Sequence, residues 1–276
     1  MDQIELLINE TINNRNNQSI EDFEGYSPAE MHLILNETFG SNSPIELLKA
    51  EEHHYQKIPM LNQVKFLLKL IEEQKELKLT SKGFLPTKIV SELYGKAYLK
   101  DPLIEMGITK LNKESDAPTI HLAKILLELS SLVKKRNNKL TLTKKGTEQI
   151  QNNHFIFQHI FETFSRKFNW SYFDGFGDNE IGQLGFGFTI ILLDKYGNEF
   201  RNPEFYAEKY LKAFDFRAKF PEKGLLDKPK IAYIIRSFER FLNYFGLTEF
   251  ENNQLNSNIK KTEIFNVFLK IRAHNT

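Results

Sequence analysis

Three carboxylates stand within seven residues in the stretch WSYFDGFGDNE: Asp174, Asp178 and Glu180. Oxygen ligands in that number suit a hard divalent cation, and two carboxyls at a set separation suit glycoside hydrolysis. Trp170, Tyr172, Phe173 and Phe176 flank them, as rings would if a sugar or a base stacked there. The spacing is not that of an EF-hand, which alternates its oxygen ligands and ends on a distal Glu. The same residue types also serve local backbone needs. Asp174 can close an Asx turn, Asp178 or Asn179 can cap the following helix, and the rings can fill a core. Trp170, Asp174, Asp178 and Glu180 are therefore a candidate ligand site, with turn and cap roles as the competing use.

The second feature with chemical potential is basic. In KKRNNK, Lys134, Lys135, Arg136 and Lys139 surround an Asn-Asn turn, and Lys144 and Lys145 follow. A hairpin so charged can track phosphates and release their counterions. Base-specific reading would need polar side chains on the preceding helix, and TIHLAKILLELSS offers His121, Lys124 and Glu128, a mixed set. The earlier helix offers Asn62, Lys65 and Lys69, but Glu72 and Glu73 behind them would repel a phosphate backbone. The competing use is a solvated or protein-facing hairpin.

Other chemistry finds no support. The chain has no cysteine, which removes disulfides, thiolate metal sites and cysteine nucleophiles together. His53 and His54 are adjacent and point apart in a regular element. His154 and His159 are five apart, off the i, i+4 spacing that places two ligands on one helix face, and His32, His121 and His274 are isolated. There is no G-x-S-x-G, no Walker loop and no dinucleotide fingerprint; the glycines of GFGDNEIG are wrongly spaced. No catalytic residue, metal or cofactor is expected.

The elements that must position these residues follow from periodicity and punctuation. SPAEMHLIL opens with Ser27 as cap, Pro28 at the first helical position and Glu30 three residues on, a capping box. MLNQVKFLLKLIEEQ is an amphipathic helix on Leu61, Val64, Leu67, Leu68 and Ile71. LKLT alternates as a strand, and LVKKR and KLTLT read as strands joined by the Asn hairpin. IGQLGFGFTIILLDKYG predicts a buried helix stopped by Gly197, and Asn202-Pro203 opens another. The last 49 residues (228–276) predict a long helix, two short strands and a final helix.

LKLTSKG and LTLTKKG end at Gly83 and Gly146, 63 residues apart, each behind a similar helix. Two tandem winged-helix-like units account for the repetition, each with strand leucines under a helix and a glycine that turns the chain back. The expected fold is mainly α with small β-hairpins: an acidic helical segment over 1–52, a tandem winged-helix-like region over 53–150, and an aromatic-rich C-terminal helical region over 151–276.

Net charge is +1 but unevenly spread. Residues 1–52 hold 2 basic and 11 acidic groups; residues 53–150 hold 18 basic and 10 acidic. The basic part can face a polyanion, or the acidic part can dock on it and neutralise it. The N-terminus lacks the basic-then-apolar run of a signal peptide, and no apolar stretch is long enough to span a membrane. At FEGYSPAEMH, LKLTSKGFLPTKIVSELY, NWSYFDGF and YIIRSFERFLNYFGL the chain resembles a group of bacterial proteins to which no activity is assigned. The resemblance implies a bacterial, cytoplasmic setting and no catalytic residues. The expected function is a non-enzymatic interaction module with DNA or another protein as partner. The contrasting expectation is a small-ligand binder or enzyme centred on residues 170–180.

Overall fold

The computed structural model describes residues 3–214, 216, 227–254 and 257–274. It is mainly helical with small antiparallel sheets. The chain divides into two compact units. One, here the sheet unit, comprises 49–169 and 244–246; the other, the aromatic unit, comprises 1–48, 170–243 and 247–276. These limits differ from boundaries drawn at 52 and 150, because the acidic N-terminal segment is built into the same unit as the C-terminal half.

The sheet unit begins with α3 (Glu52–Tyr55) and α4 (Pro59–Gln74). Then come β2 (Leu77–Lys78), α5 (Thr87–Gly95), the one-turn α6 (Pro102–Glu105) and α7 (Pro118–Leu129). It closes with β3 (Val133–Arg136), β4 (Lys139–Leu142), α8 (Lys144–Gln149) and α9 (Asn153–Arg166). Helix α4 forms because its apolar residues recur every three to four positions. Leu61, Val64, Leu67, Leu68 and Ile71 are all buried, against α7 and β4. Asn137 and Asn138 both take positive φ, 49° and 54°, so the hairpin turns through two left-handed residues, as a two-residue loop requires.

The two similar heptads do not head separate units. Leu77 pairs with Leu140 and Lys78 with Lys139, so the copies are neighbours in one three-stranded sheet of order β2-β4-β3. The tandem expectation fails for a simple reason. Two strands with matching leucine alternation are as well suited to pair with each other as to head separate units, and local sequence does not distinguish the two.

Their glycines also differ. Gly83 has φ +79° and turns the 80–83 loop, as expected. Gly146 does not reverse the chain; it lies inside α8, whose cap is Thr143. A Cβ there would sit 2.1 Å from the Leu132 carbonyl oxygen, so glycine is required by close backbone approach rather than by dihedral. Gly146→Ala should therefore destabilise the chain by about 3 kcal/mol, since neither backbone can yield cheaply. Gly83→Ala should lose only about 1–2 kcal/mol. Thermal melts of the two variants check the order.

The aromatic unit contains α1 (Gln3–Asn17), α2 (Pro28–Asn36), β1 (Ile45–Leu47), α10 (Phe186–Tyr196) and α11 (Pro203–Ala213). It continues with α12 (Lys228–Ile234), which passes into a π-helical segment Ile235–Leu242. It ends with β5 (Thr248–Phe250), β6 (Ile259–Lys261), α13 (Glu263–Phe268) and β7 (Leu269–Ile271). The Ser27–Glu30 capping box starts α2, and Gly197 ends the buried α10. Gly187 lets α10 approach Ile34 of α2 and Thr38 just after it closely. β1 pairs antiparallel with β7, joining residues 45–47 to 269–271. Among the described residues no helix is long and apolar enough to cross a membrane.

Candidate nucleic-acid interface

The three-stranded sheet turns one face inward through Leu77, Leu140 and Val133, all buried. Side chains alternate along a strand, so the residues between them face outward. Register then fixes a row: Lys78 is opposite Lys139, and Lys139 is opposite Arg136. Lys134, opposite Thr141, stands beside that row on the same face. Like charges directly opposite each other weaken a sheet by a few tenths of a kcal/mol per pair. Among the described residues only Lys139 of this row is compensated, by Glu76 at 2.8 Å. Lys78, Lys134 and Arg136 are exposed, and none forms an ion pair among the described residues.

The other cations of the basic stretch lie elsewhere. Lys135 is opposite buried Leu140, and its Nζ comes up against Gly83 on the far side. Lys144 is exposed on α8, 3.9 Å from Glu148. Lys145 contacts His159 Nε2 at 3.2 Å and lies 5.1 Å over the Phe155 ring. The structure thus brings together Lys134, Arg136 and Lys139 with Lys78, which sequence reasoning missed. Its signal lay in the repeat itself: the two copies share an alternation and pair.

Helix α7 does not present a reading face. Ile120, Leu122, Ala123, Lys124, Leu126 and Leu127 are buried among α4, α5, α9 and β3. Lys124 Nζ lies 2.6 Å from the fully buried Glu114 carboxylate and donates to the Gly83 carbonyl at 3.0 Å. His121 Nδ1 and the Leu85 amide hydrogen-bond to the same carboxylate. Burial alone would raise the Glu114 pKa; the donors from His121, Leu85 and Lys124 outweigh it and hold the carboxyl below its ordinary value. His121 and Lys124, part of the mixed set that α7 offers for base reading, instead staple the 83–85 loop to α7.

The acidic loop is built differently from a cation site. Asp174 accepts two guanidinium bonds from Arg236, at 2.7 and 3.0 Å, and closes the expected Asx turn onto the Phe176 amide. Arg236 is fully buried on the π-helical segment and also donates to the carbonyls of Gly177, Asn179 and Ile181. Asp178 accepts from Ser171 Oγ at 3.2 Å, and Glu180 is exposed. Trp170 is buried with its ring centroid 4.9 Å from that of Phe241. The Asp174 carboxylate is therefore engaged by an internal cation. Among the described residues no group of three or more His, Asp or Glu is placed to hold a metal ion.

A cleft of about 710 Å³ runs along α4 in the sheet unit. Lys65, Lys69 and Lys96 line it, but so do Glu72, Glu73 and Glu92, so its charges offset one another. The outer sheet face has no such balance.

Geometry and charge thus describe a helix-rich unit that presents a cationic strand face. Residues 56–154, which hold all of that face, match the family described as Y4jL N-terminal domain. The match covers the sheet unit alone. No curated protein and no solved structure matches the chain.

Proposed function

We propose that residues 59–142 form one winged-helix unit and that its outer sheet face binds duplex DNA through phosphate contacts, without enzymatic activity. The order of α4, β2, α5, α7, β3 and β4, with the first strand pairing the last, supports the winged-helix reading. The one-turn α6 is an insertion between its second and third helices. The observation that carries the binding reading is the cation row Lys78–Lys139–Arg136 with Lys134 alongside, an arrangement that weakens the free sheet. A phosphate backbone relieves that repulsion, and releasing its counterions drives association. Because the outward side of α7 carries Ile125, Glu128 and Leu129 and its Lys124 is buried, contact positions the duplex without reading its bases, and sequence preference is weak. The absence of cysteine permits the bacterial cytoplasmic setting in which such a duplex would be met.

The test is fluorescence anisotropy with a labelled duplex of mixed sequence at low salt. Lys78→Ser/Lys134→Ser/Arg136→Ser should bind at least tenfold more weakly than wild type, with an unchanged circular dichroism spectrum. Lys144→Ser, off the face, should bind within about twofold, one lost exposed contact being worth little. Without DNA, Arg136→Ser should be slightly more stable than wild type, by about 0.2–1 kcal/mol. Equal binding by the triple variant, or no binding by wild type, would remove the proposal.

A further inference from the structure

We propose that α1 is a self-association element whose occupant is the α1 of a second copy of this chain, packed antiparallel. Helix α1 has 15 residues and none of them is buried. Ile4, Leu7, Ile8 and Ile12 fall on one stripe at helical spacing, and Ile4 and Leu7 are 65% and 67% exposed. The helix as a whole is a poor helix former: it holds five asparagines, at 9, 13, 14, 16 and 17, and four β-branched residues, three of them in the stripe. A helix of about this length with such a composition is marginal in water unless its apolar face is covered.

Charge selects the cover. Glu5 lies in the first turn and Arg15 in the last, and neither is in an ion pair among the described residues. A parallel pair would set Glu5 against Glu5 and Arg15 against Arg15. An antiparallel pair that sets Glu5 of each copy beside Arg15 of the other brings Ile8 of each against Ile12 of the other, so the two apolar stripes overlap with a stagger of about one turn. That arrangement is isologous, the same surface on both copies, and it closes as a dimer. Glu10 flanks the stripe at its Leu7 edge, three residues after Leu7, outside its Ile4–Ile8 centre.

The experiment is sedimentation equilibrium on the full chain between about 5 and 200 µM, the range suited to an interface below about 1,200 Å². Wild type should pass from monomer to dimer across the series. Leu7→Ser/Ile8→Ser should remain monomeric, with the melting temperature of dilute, monomeric wild type, because neither side chain belongs to the core. Glu5→Arg should weaken the dimer several-fold, and Glu5→Arg/Arg15→Glu should restore it. A monomeric wild type, a dimer that survives Leu7→Ser/Ile8→Ser, or a double charge reversal that does not restore pairing overturns the proposal. So does a dimer abolished by Leu103→Ser/Met106→Ser, which would move the contact to the exposed apolar residues after α5.

Discussion

Glu114→Ala is expected to lose about 3–5 kcal/mol of stability, more than any substitution on the cationic sheet face. The alanine removes a fully buried carboxylate and takes that acceptor from three groups: Lys124, which is 4% exposed, His121 and the Leu85 amide. Among the described residues Lys124 keeps the Gly83 carbonyl and the face of the Phe84 ring, 5.2 Å away. The cost is set by the stranded cation more than by the pair itself. Acid should reveal the same linkage. The Glu114 carboxyl titrates lower in the folded chain than in the unfolded one. Its contribution is therefore complete above the ordinary carboxylate range and is lost as pH falls from that range through the depressed folded value. Glu114→Gln should flatten that acid limb while lowering stability at neutral pH. Denaturant melts at a series of pH values measure both effects. Equal melts for wild type and Glu114→Ala would contradict the packing described.

Arg236→Met is the second large effect, again about 3–5 kcal/mol. Its guanidinium ties the 174–181 loop to the π-helical segment through Asp174 and three backbone carbonyls. Without it the Asp174 side chain, 3% exposed, keeps the Phe176 amide and, among the described cations, only the more distant Arg240 at 3.5 Å. Arg236→Lys should recover little, because an ammonium cannot make the forked contact. Adding Asp174→Leu to Arg236→Met should return part of the loss, since it removes the buried unpaired charge. Chemical denaturation of the two single variants and the double variant completes the cycle. A double variant no more stable than Arg236→Met alone would show that the two residues are not coupled.

Local signals in the sequence identified most elements, because caps and turns act over a few residues. The Ser27, Pro28 and Glu30 box, the Asn137-Asn138 turn, Gly197 as a stop and Asn202-Pro203 as a start each satisfy neighbouring backbone groups. Partnerships across the chain were not legible. Nothing near residues 45–47 announces pairing with 269–271, and nothing in LKLTSKG says that its neighbour is the other copy of the same string. Identical glycines in T-x-K-G settle into different dihedrals because their surroundings differ: one closes an exposed turn, the other sits against the Leu132 carbonyl. Buried charge was the least readable. Glu114 sits in LNKESDAP, which has loop composition, and Lys124 and Arg236 look like the polar sides of amphipathic helices. Each is buried by a partner 7 to 62 residues away, a distance that periodicity does not reach.

The cationic face was half visible. Lys134, Arg136 and Lys139 stood out as a basic run, whereas Lys78 joins them only through strand register. The acidic loop stood out as well, and its aspartate proved to be the anchor of an internal arginine.

The most direct test of the account is the salt dependence of duplex binding, wild type against Lys78→Ser/Lys134→Ser/Arg136→Ser. With about four phosphate contacts from the sheet face, log Kobs should fall with log salt at a slope of about −3 to −4, and the triple variant should reduce that slope by about 2 to 3. A wild-type slope near zero, or the same slope in both proteins, would mean that this face does not meet a phosphate backbone.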